Sequence, residues 1–398
     1  SVFGADRKFS TTWSVGFGWN LHNEKFFKSI FKNIDLFKIR ASIGNPGNQN
    51  FDDYISMRIY GYNNHNSNPF GVSTIISNLG NKNLQWQKTL DSNIGFDLVT
   101  NNNKLRVNFD YFYKKTDPLL VFIGVPSSLG TVSIPKNLGE QLTKGLTLSM
   151  SYYMVKNRNF SWLANMNLRH LASRYANIDQ SMDIFNKTNR SRNLIRYYNG
   201  ASPTDLWAVR SAGIDPVTGR EVFIDKDGNQ TFTHSYDDEV VVGNSASSVE
   251  GVLGSTLRYK GFYATFNFSY RVGGQIFMQT LYNKVENISA GNLHYNQDKR
   301  ALYARWKNPG DIAKFRAISS TDVTPMSSRF VEDNNVLSCE SVSVGYETTS
   351  AWLQKIGASS MTLRAYMNDI FRISTVRNER GLDYPFARSV SMSLGIRF

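Results

Sequence analysis

The chain has 398 residues, of which 41% are hydrophobic and 13% aromatic, and its formal net charge is +13. No stretch approaches the roughly 20 consecutive apolar residues of a membrane helix, so helical membrane spans are excluded. The charges are dispersed without a Lys/Arg-rich run or a recognition motif, which argues against a nucleic-acid partner. The single cysteine, Cys339, excludes an intrachain disulfide framework.

Period-two alternation of apolar and polar residues recurs along the chain. In the first instance Trp13, Val15 and Phe17 share one face, because successive side chains of a strand point to opposite sides. The same pattern predicts 11 strands, at 11–19, 35–44, 84–99, 104–113, 138–155, 160–171, 249–259, 262–272, 336–348, 359–371 and 388–398.

The predicted connections alternate in length. Short turns are expected at 101–103, 156–159 and 260–261, and a helix-like segment at 24–31 joins the first two strands. A small hairpin is expected at 207–224 inside one of the long loops. Short turns at one end and long loops at the other are typical of outer-membrane barrels. The long loops, which we expect to be extracellular, are 45–83, 114–137, 172–247, 273–335 and 372–387.

We therefore predict an all-β fold, an antiparallel transmembrane β-barrel with an apolar face toward lipid and a polar face toward the lumen. A register slip of one residue would exchange the two faces. The residues expected to contact lipid are Leu105, Phe109, Phe266, Leu363 and Leu394. Those expected to point inward are Arg106, Asn267, Arg364 and Arg397.

An odd strand number is unusual, because bacterial single-chain barrels have even numbers. An open sheet of this size would leave edge groups unsatisfied in lipid, at several kcal/mol each. We expect another polypeptide or an N-terminal part to complete the barrel, and we do not expect this chain to fold alone. No signal peptide is recognisable at the start. Phe398 is expected at the periplasmic rim, paired with the first strand of the missing half.

Six stretches resemble, in order, the C-terminal half of SusC-like (RagA/SusC group) TonB-dependent transporters of the Bacteroidetes outer membrane. They read GWNL at 18–21, LFKIRASIG at 36–44, NLQWQKT at 83–89 with NIGFD at 93–97, DYFYKKT at 110–116, NLGE at 137–140 with KGL at 144–146, and AGID at 212–215 with DKDGN at 225–229.

The resemblance implies the second half of a barrel of about 22 strands, with the plug, the TonB-contacting segment and the first half of the wall absent here. It also implies import of an oligosaccharide or peptide, a SusD-like lipoprotein that caps the extracellular mouth, and TonB acting on the plug. The alternative is a transport-inactive barrel that serves as a scaffold in a larger outer-membrane complex. No catalytic motif is present, so we do not expect an enzyme.

Basic residues predominate among the side chains predicted to face the lumen. They have two explanations: attraction of an anionic substrate, or pairing with carboxylates of the missing plug or opposite wall, which we favour because buried charges need partners. The cations are Lys38, Arg40, Arg106, Arg169, Arg258, Arg271, Arg364 and Arg397, and the carboxylates are Asp91, Asp97 and Asp110.

Two sets of loop residues are further candidates. The aromatic set could stack on a glycan or peptide, or simply pack loops together: Tyr60, Tyr62, Tyr197, Tyr198 and Trp207. The oxygen-bearing set, Asp225, Asp227 and Asn229, could bind Ca²⁺, although Asp-Gly is a common turn sequence and a turn is the favoured interpretation. No other cofactor is expected.

Overall fold

The computed structural model describes residues 11–47, 54–68, 71–131, 133–292, 294–320, 322–377 and 388–398. Its main element is an antiparallel sheet of 11 strands in which each strand pairs with the wall strands before and after it. All predicted wall strands are confirmed. Numbered together with the other strands in chain order, they are β1 (Trp13–Asn20), β2 (Ile34–Asn45), β5 (Thr89–Thr100), β6 (Leu105–Thr116), β9 (Glu140–Lys156), β10 (Phe160–Ala176), β15 (Val249–Tyr259), β16 (Phe262–Val272), β19 (Val336–Thr348), β20 (Ser360–Ser374) and β21 (Val390–Arg397).

The short connections all lie at one end of the sheet, which we call the short-turn end. Two of them contain helices, α1 (Lys25–Ile30) and α4 (Ala351–Lys355). The turn after β5 places Asn101, Asn102 and Asn103 at φ values of 55°, 55° and 62°. Asparagine tolerates this left-handed backbone, which is why the asparagine run predicted a turn.

The long connections, at the opposite long-loop end, contain structure of their own. The predicted hairpin at 207–224 is confirmed by two paired strands at 205–214 and 221–224. Most other loop strands escaped prediction because they are short or, as at 59–68, too rich in polar residues to alternate. The loop elements are β3 (Ile59–Asn68), β4 (Gly71–Asn78), β7 (Leu120–Gly124), β8 (Ser133–Asn137), α2 (Asp183–Asn189), β11 (Asp205–Ile214), β12 (Glu221–Ile224), β13 (Gln230–Thr231), β14 (Glu239–Asn244), β17 (Gln275–Phe277), a π-helix (Leu281–Glu286), α3 (Arg300–Tyr303) and β18 (Val331–Asp333).

Two strand boundaries differ from the prediction by five residues. The strand expected to end at residue 171 continues to Ala176. The strand expected from residue 84 starts at Thr89, because Leu84 is fully buried among the loops. The backbone of Gln85 is held there by the Asn137 side chain, which accepts from its N–H at 2.7 Å and donates to its carbonyl at 3.0 Å.

The wall has one polar face and one apolar face. Arg40 pairs in register with Gly95, which pairs in turn with Asp110, so these positions share the polar face. The apolar face is left exposed at its edges: Phe17 on β1 is 65% exposed and Leu394 on β21 is 61% exposed. The residues that we expected in lipid all fall on the apolar face, and those that we expected inside fall on the polar face.

The apolar face of the sheet does not pack against other protein, as it would in a water-soluble protein, and we call this an inverted sheet. The clusters of buried apolar side chains found in the described residues lie mainly in the long loops and where these meet the strand ends, as with Leu119, Leu206 and Phe330. The middle of the apolar face instead carries exposed side chains and a row of aromatic rings, in which Phe96 and Phe109 lie 5.5 Å apart. An outward apolar surface with no protein against it is expected of a wall that faces lipid.

The sheet has two edges in the described part of the chain. There β1 pairs with β2 alone and β21 pairs with β20 alone. Phe398, directly after β21, lies at the short-turn end and is 83% exposed. Its pairing with a strand of the missing half stays a prediction. None of the helices in the described residues has the length and apolarity required to cross a membrane.

Adjacent residues on β16 provide a test of the face assignment. We expect Phe266→Arg to reduce the amount of assembled barrel, because a charge near the bilayer midplane costs about 2–4 kcal/mol. The matched change Asn267→Arg places the same side chain on the polar face and should be tolerated. Heat-modifiable migration of the full-length protein from outer-membrane fractions measures both variants, and equal losses would contradict the assignment.

Candidate functional site

The polar face of the wall contains ion pairs between neighbouring strands. Arg40 on β2 contacts Asp97 on β5 at 3.0 Å and Asp110 on β6 at 3.1 Å. Lys114 on β6 contacts Asp91 on β5 at 2.8 Å. These pairs follow from register, because side chains opposite each other on one face of a sheet lie close enough to interact.

A second group of charges lines the polar face farther along the sheet. Arg169 on β10 lies opposite Glu250 on β15, which lies opposite Arg271 on β16, and the first pair is 3.7 Å apart. With Glu340 and Arg372 they line an open cavity of about 440 Å³. This cavity is open to a solute on the polar face.

Most of the remaining predicted inward cations have identifiable neighbours. Arg106 donates to the Asn103 side chain at 3.3 Å, Arg258 lies 3.9 Å from Glu347, and Arg364 stacks on Tyr366 at 5.2 Å. The preference for partners on a plug or opposite wall is therefore wrong for Arg40, Arg169 and Arg258, because their carboxylate partners belong to this wall. Five inward cations have no carboxylate partner in the described residues: Lys38, Arg106, Arg271, Arg364 and Arg397.

The five aromatic candidates do not form one surface. Tyr197 packs against Tyr175 at 5.2 Å and Phe185 at 5.5 Å, inside a loop core. Burial raises the pKa of Tyr197, in agreement with a packed position. Tyr198 and Trp207 pack against each other with their ring centroids 5.0 Å apart and the rings tilted by 57°. These three rings pack loops together.

Tyr60 and Tyr62 remain open for ligand contact. They lie on the separate β3–β4 hairpin and are 57% and 80% exposed. No ring contact found in the described residues joins them to Tyr198 or Trp207. Contact with a ligand therefore stays a prediction for this pair.

The candidate Ca²⁺ residues form a turn between β12 and β13. The Asp225 carboxylate accepts from the Asn229 backbone N–H at 2.8 Å and from its side-chain amide at 3.2 Å. These hydrogen bonds, the backbone one first, lower the pKa of Asp225. The described residues contain no cluster of three or more His, Cys, Asp or Glu placed to hold a metal ion. The geometry of Asp225, Asp227 and Asn229 favours the turn.

A buried charge network that was not predicted joins two of the long loops. Glu286, at the end of the π-helix, has a fully buried side chain and accepts from Arg329 at 2.9 Å and Arg316 at 3.2 Å. Arg329 also reaches Glu221 on β12 at 2.9 Å. The partners of Arg329 are 43 and 108 residues away in the chain, so no local pattern could reveal them.

The protonation state of Glu286 follows from this environment. Burial on its own would raise the pKa of the carboxyl, but the charge and hydrogen bonds of Arg329 with further help from Thr324 and Arg316 outweigh it, and the pKa is lowered. A second buried pair, Arg196 with Glu239 at 2.6 Å, anchors β14 to the chain before β11. The loops at 172–247 and 273–335 thus form one packed unit, which we call the loop platform.

Comparisons with known proteins agree with this architecture. Residues 1–288 match the family described as TonB dependent receptor-like, beta-barrel. The chain is 25% identical to TonB-dependent receptor P39 of Formosa agariphila, over 93% of this chain and 40% of that protein. It is 24% identical to TonB-dependent receptor SusC of Bacteroides thetaiotaomicron, over 100% of this chain and 40% of that protein. The chain therefore spans well under half of the length of these relatives.

Solved structures show the same fold. The RagAB peptide transporter superimposes with a TM-score of 0.77 at 19% identity, covering 94% of this chain and 41% of that one. The RagAB peptide importer in its "open-open" state gives a TM-score of 0.78 at 18% identity, covering 100% and 44%. At these identities the likeness concerns the fold alone.

Glu286→Gln should loosen the loop platform. Removing one member of a buried charge cluster leaves its partners uncompensated, at about 3–5 kcal/mol. We expect faster hydrogen exchange at β12 and in the segment around Arg329 of the full-length protein. Asp298→Asn is the matched control, because Asp298 pairs locally with the partly exposed Arg300, a pair worth about 0–1 kcal/mol. Equal exchange in both variants would contradict the role of Glu286.

The same network predicts a pH response. The pKa of Glu286 in the folded protein is below its usual value of 4.5, so its contribution is complete above that value and is lost as the pH falls through the lowered pKa. The protection factors of the platform amides, which are exchange rates corrected for the pH dependence of intrinsic exchange, should therefore be unchanged between neutral pH and about pH 5. Loosening across that interval would show that another group controls the platform.

Proposed function

Because the chain belongs to the family of TonB dependent receptor-like β-barrels, we propose that it forms the C-terminal half of the wall of a SusC-like transporter. Barrels of this family lie in the outer membrane, and so does this chain. The transporter imports oligosaccharides or peptides too large for a porin, by binding and passage without bond-breaking. The observation that carries the proposal is the inverted sheet, with its apolar face unpacked and its ion pairs on the opposite face.

Completion of the wall by other strands is part of the proposal. Edge strands that end in lipid are costly, because each unsatisfied peptide group costs several kcal/mol there. Two edges, β1 and β21, support strands beyond this chain on both sides. A barrel of about 22 strands has a lumen wide enough to need a plug. Arg271, Arg364 and Arg397, which have no carboxylate partner in the described wall, are suited to face such a plug.

A SusD-like lipoprotein is the proposed partner at the extracellular mouth, and TonB acts from the periplasm through the plug. Support for the lid comes from the loop platform, whose buried charges give a partner a firm surface at the long-loop end. The RagAB neighbours are named as peptide transporters, which supports peptides as one of the two substrate classes.

Uptake by whole cells tests this function. Deletion of the full-length gene should abolish uptake of one labelled class, either oligopeptides or oligosaccharides, and the wild-type gene should restore it. Collapse of the proton-motive force should abolish the restored uptake, because TonB action needs that energy. Uptake that is unchanged by the deletion, or that persists without the proton-motive force, would contradict the proposal.

A further inference from the structure

Three basic residues lie together on the apolar face of the wall, at the long-loop end. Lys115 ends the outward row of β6, Lys144 lies on β9, and Arg174 lies on β10. Lys144 is opposite Tyr113 on one side and Ala172 on the other, while Leu142 is opposite both Lys115 and Arg174. Lys144 is therefore the diagonal neighbour of both other cations, and diagonal positions lie about 7–8 Å apart.

Two of these cations are available to a ligand. Lys115 contacts Glu140 at 2.9 Å and Asp117 at 3.8 Å. Lys144 and Arg174 are exposed, and neither has an ion-pair or hydrogen-bond partner in the described part of the chain. The group thus contains three cations and two carboxylates. Both carboxylates contact Lys115, and Glu140 is also the diagonal neighbour of Arg174, without an ion pair between them. Its unpaired charge is on Lys144 and Arg174.

The height of the group matches the border of the membrane. Trp162 and Arg174 share the outward face of β10, and the strand between them rises about 30 Å along the axis at a tilt of about 40°. The apolar band of such a barrel is about 25 Å tall and flanked by aromatic residues. Tyr111 and Tyr113, both about two-fifths exposed, lie directly below the cations on β6. Lys144 and Arg174 therefore lie where headgroups begin.

Outward cations are not a general feature of the long-loop rim. At the long-loop end of β16, β19 and β20 the outward exposed residues are apolar, namely Val272, Leu337 and Ile373. A general tendency of strand ends to carry lysine would not leave those positions apolar. Three outward cations on β6, β9 and β10 are instead a distinct surface.

We propose that Lys115, Lys144 and Arg174 form a binding site for the phosphate groups of a lipid headgroup in the outer leaflet. Arginine and lysine form strong charge-assisted hydrogen bonds to phosphate oxygens. The apolar residues below, such as Leu146 and Tyr111, would contact the acyl chains of the same lipid. The site rests on the proposed function only for its orientation, with the long loops outside the cell.

Native mass spectrometry of the full-length protein in detergent tests the site. The probe is bisphosphorylated lipid A, titrated alongside its fully dephosphorylated form. Each basic residue near a membrane surface contributes a several-fold gain in affinity for anionic lipid, so Lys144→Gln with Arg174→Gln should weaken binding about 30-fold. The control double variant, Lys156→Gln with Lys260→Gln, removes two cations from the short-turn end and should bind like the wild type.

Two results would overturn the site: equal binding of lipid A by the Lys144/Arg174 variant and the control, or equal binding of the phosphorylated and dephosphorylated lipids by the wild type. Inorganic phosphate in millimolar excess should not displace the lipid. Displacement would show that the site binds anions in general, and it would refute the proposal that a lipid headgroup is its ligand. Substrate uptake, measured separately, distinguishes the proposals, because lipid binding does not require transport and a loss of uptake leaves the lipid result standing.

Discussion

Satisfaction of backbone hydrogen bonds without water is the constraint on which this wall depends. In a bilayer a peptide group has no solvent partner, so each strand must pair on both sides and its outward side chains must be apolar. Both requirements are visible here. The 11 strands pair in sequence order, and the exposed apolar residues lie on the face opposite the ion pairs. In the described part of the chain the two edge strands, β1 and β21, each pair on one side only.

The strands could be predicted from the sequence because the two faces differ residue by residue along each strand. Register could not be predicted in the same way. The contact of Arg40 with Asp97 and Asp110 depends on how three strands align, and Asp110 is 70 residues away in the chain. The alternation therefore showed that the inward face is basic, but it did not show which residues pair with these cations. Glu250 and Glu347, which pair with Arg169 and Arg258, were missed for this reason.

The loops were harder to predict because their structure depends on contacts between residues that are far apart in the chain. Tyr197 is an aromatic loop residue of the kind that can stack on a ligand, yet it is part of a packed core with Tyr175 and Phe185. The Glu286 network likewise joins residues from two loops. Loops usually remain at the surface because buried polar groups are costly. Here buried pairs compensate one another, so two long loops form a firm unit instead of separate flexible segments.

The structure shows where the excess positive charge of the chain lies. Some cations are paired inside the wall, as Arg40 is, and others are buried inside the loop platform, as Arg196 is. Among those that remain, two sets lie on the two faces of the wall. Arg271 and Arg364 face the interior, where a plug or solute would meet them, whereas Lys144 and Arg174 face outward at the level of the headgroups. The two sets of cations are kept apart because successive side chains of a strand point to opposite faces. Each face of the sheet is therefore suited to a different anionic partner.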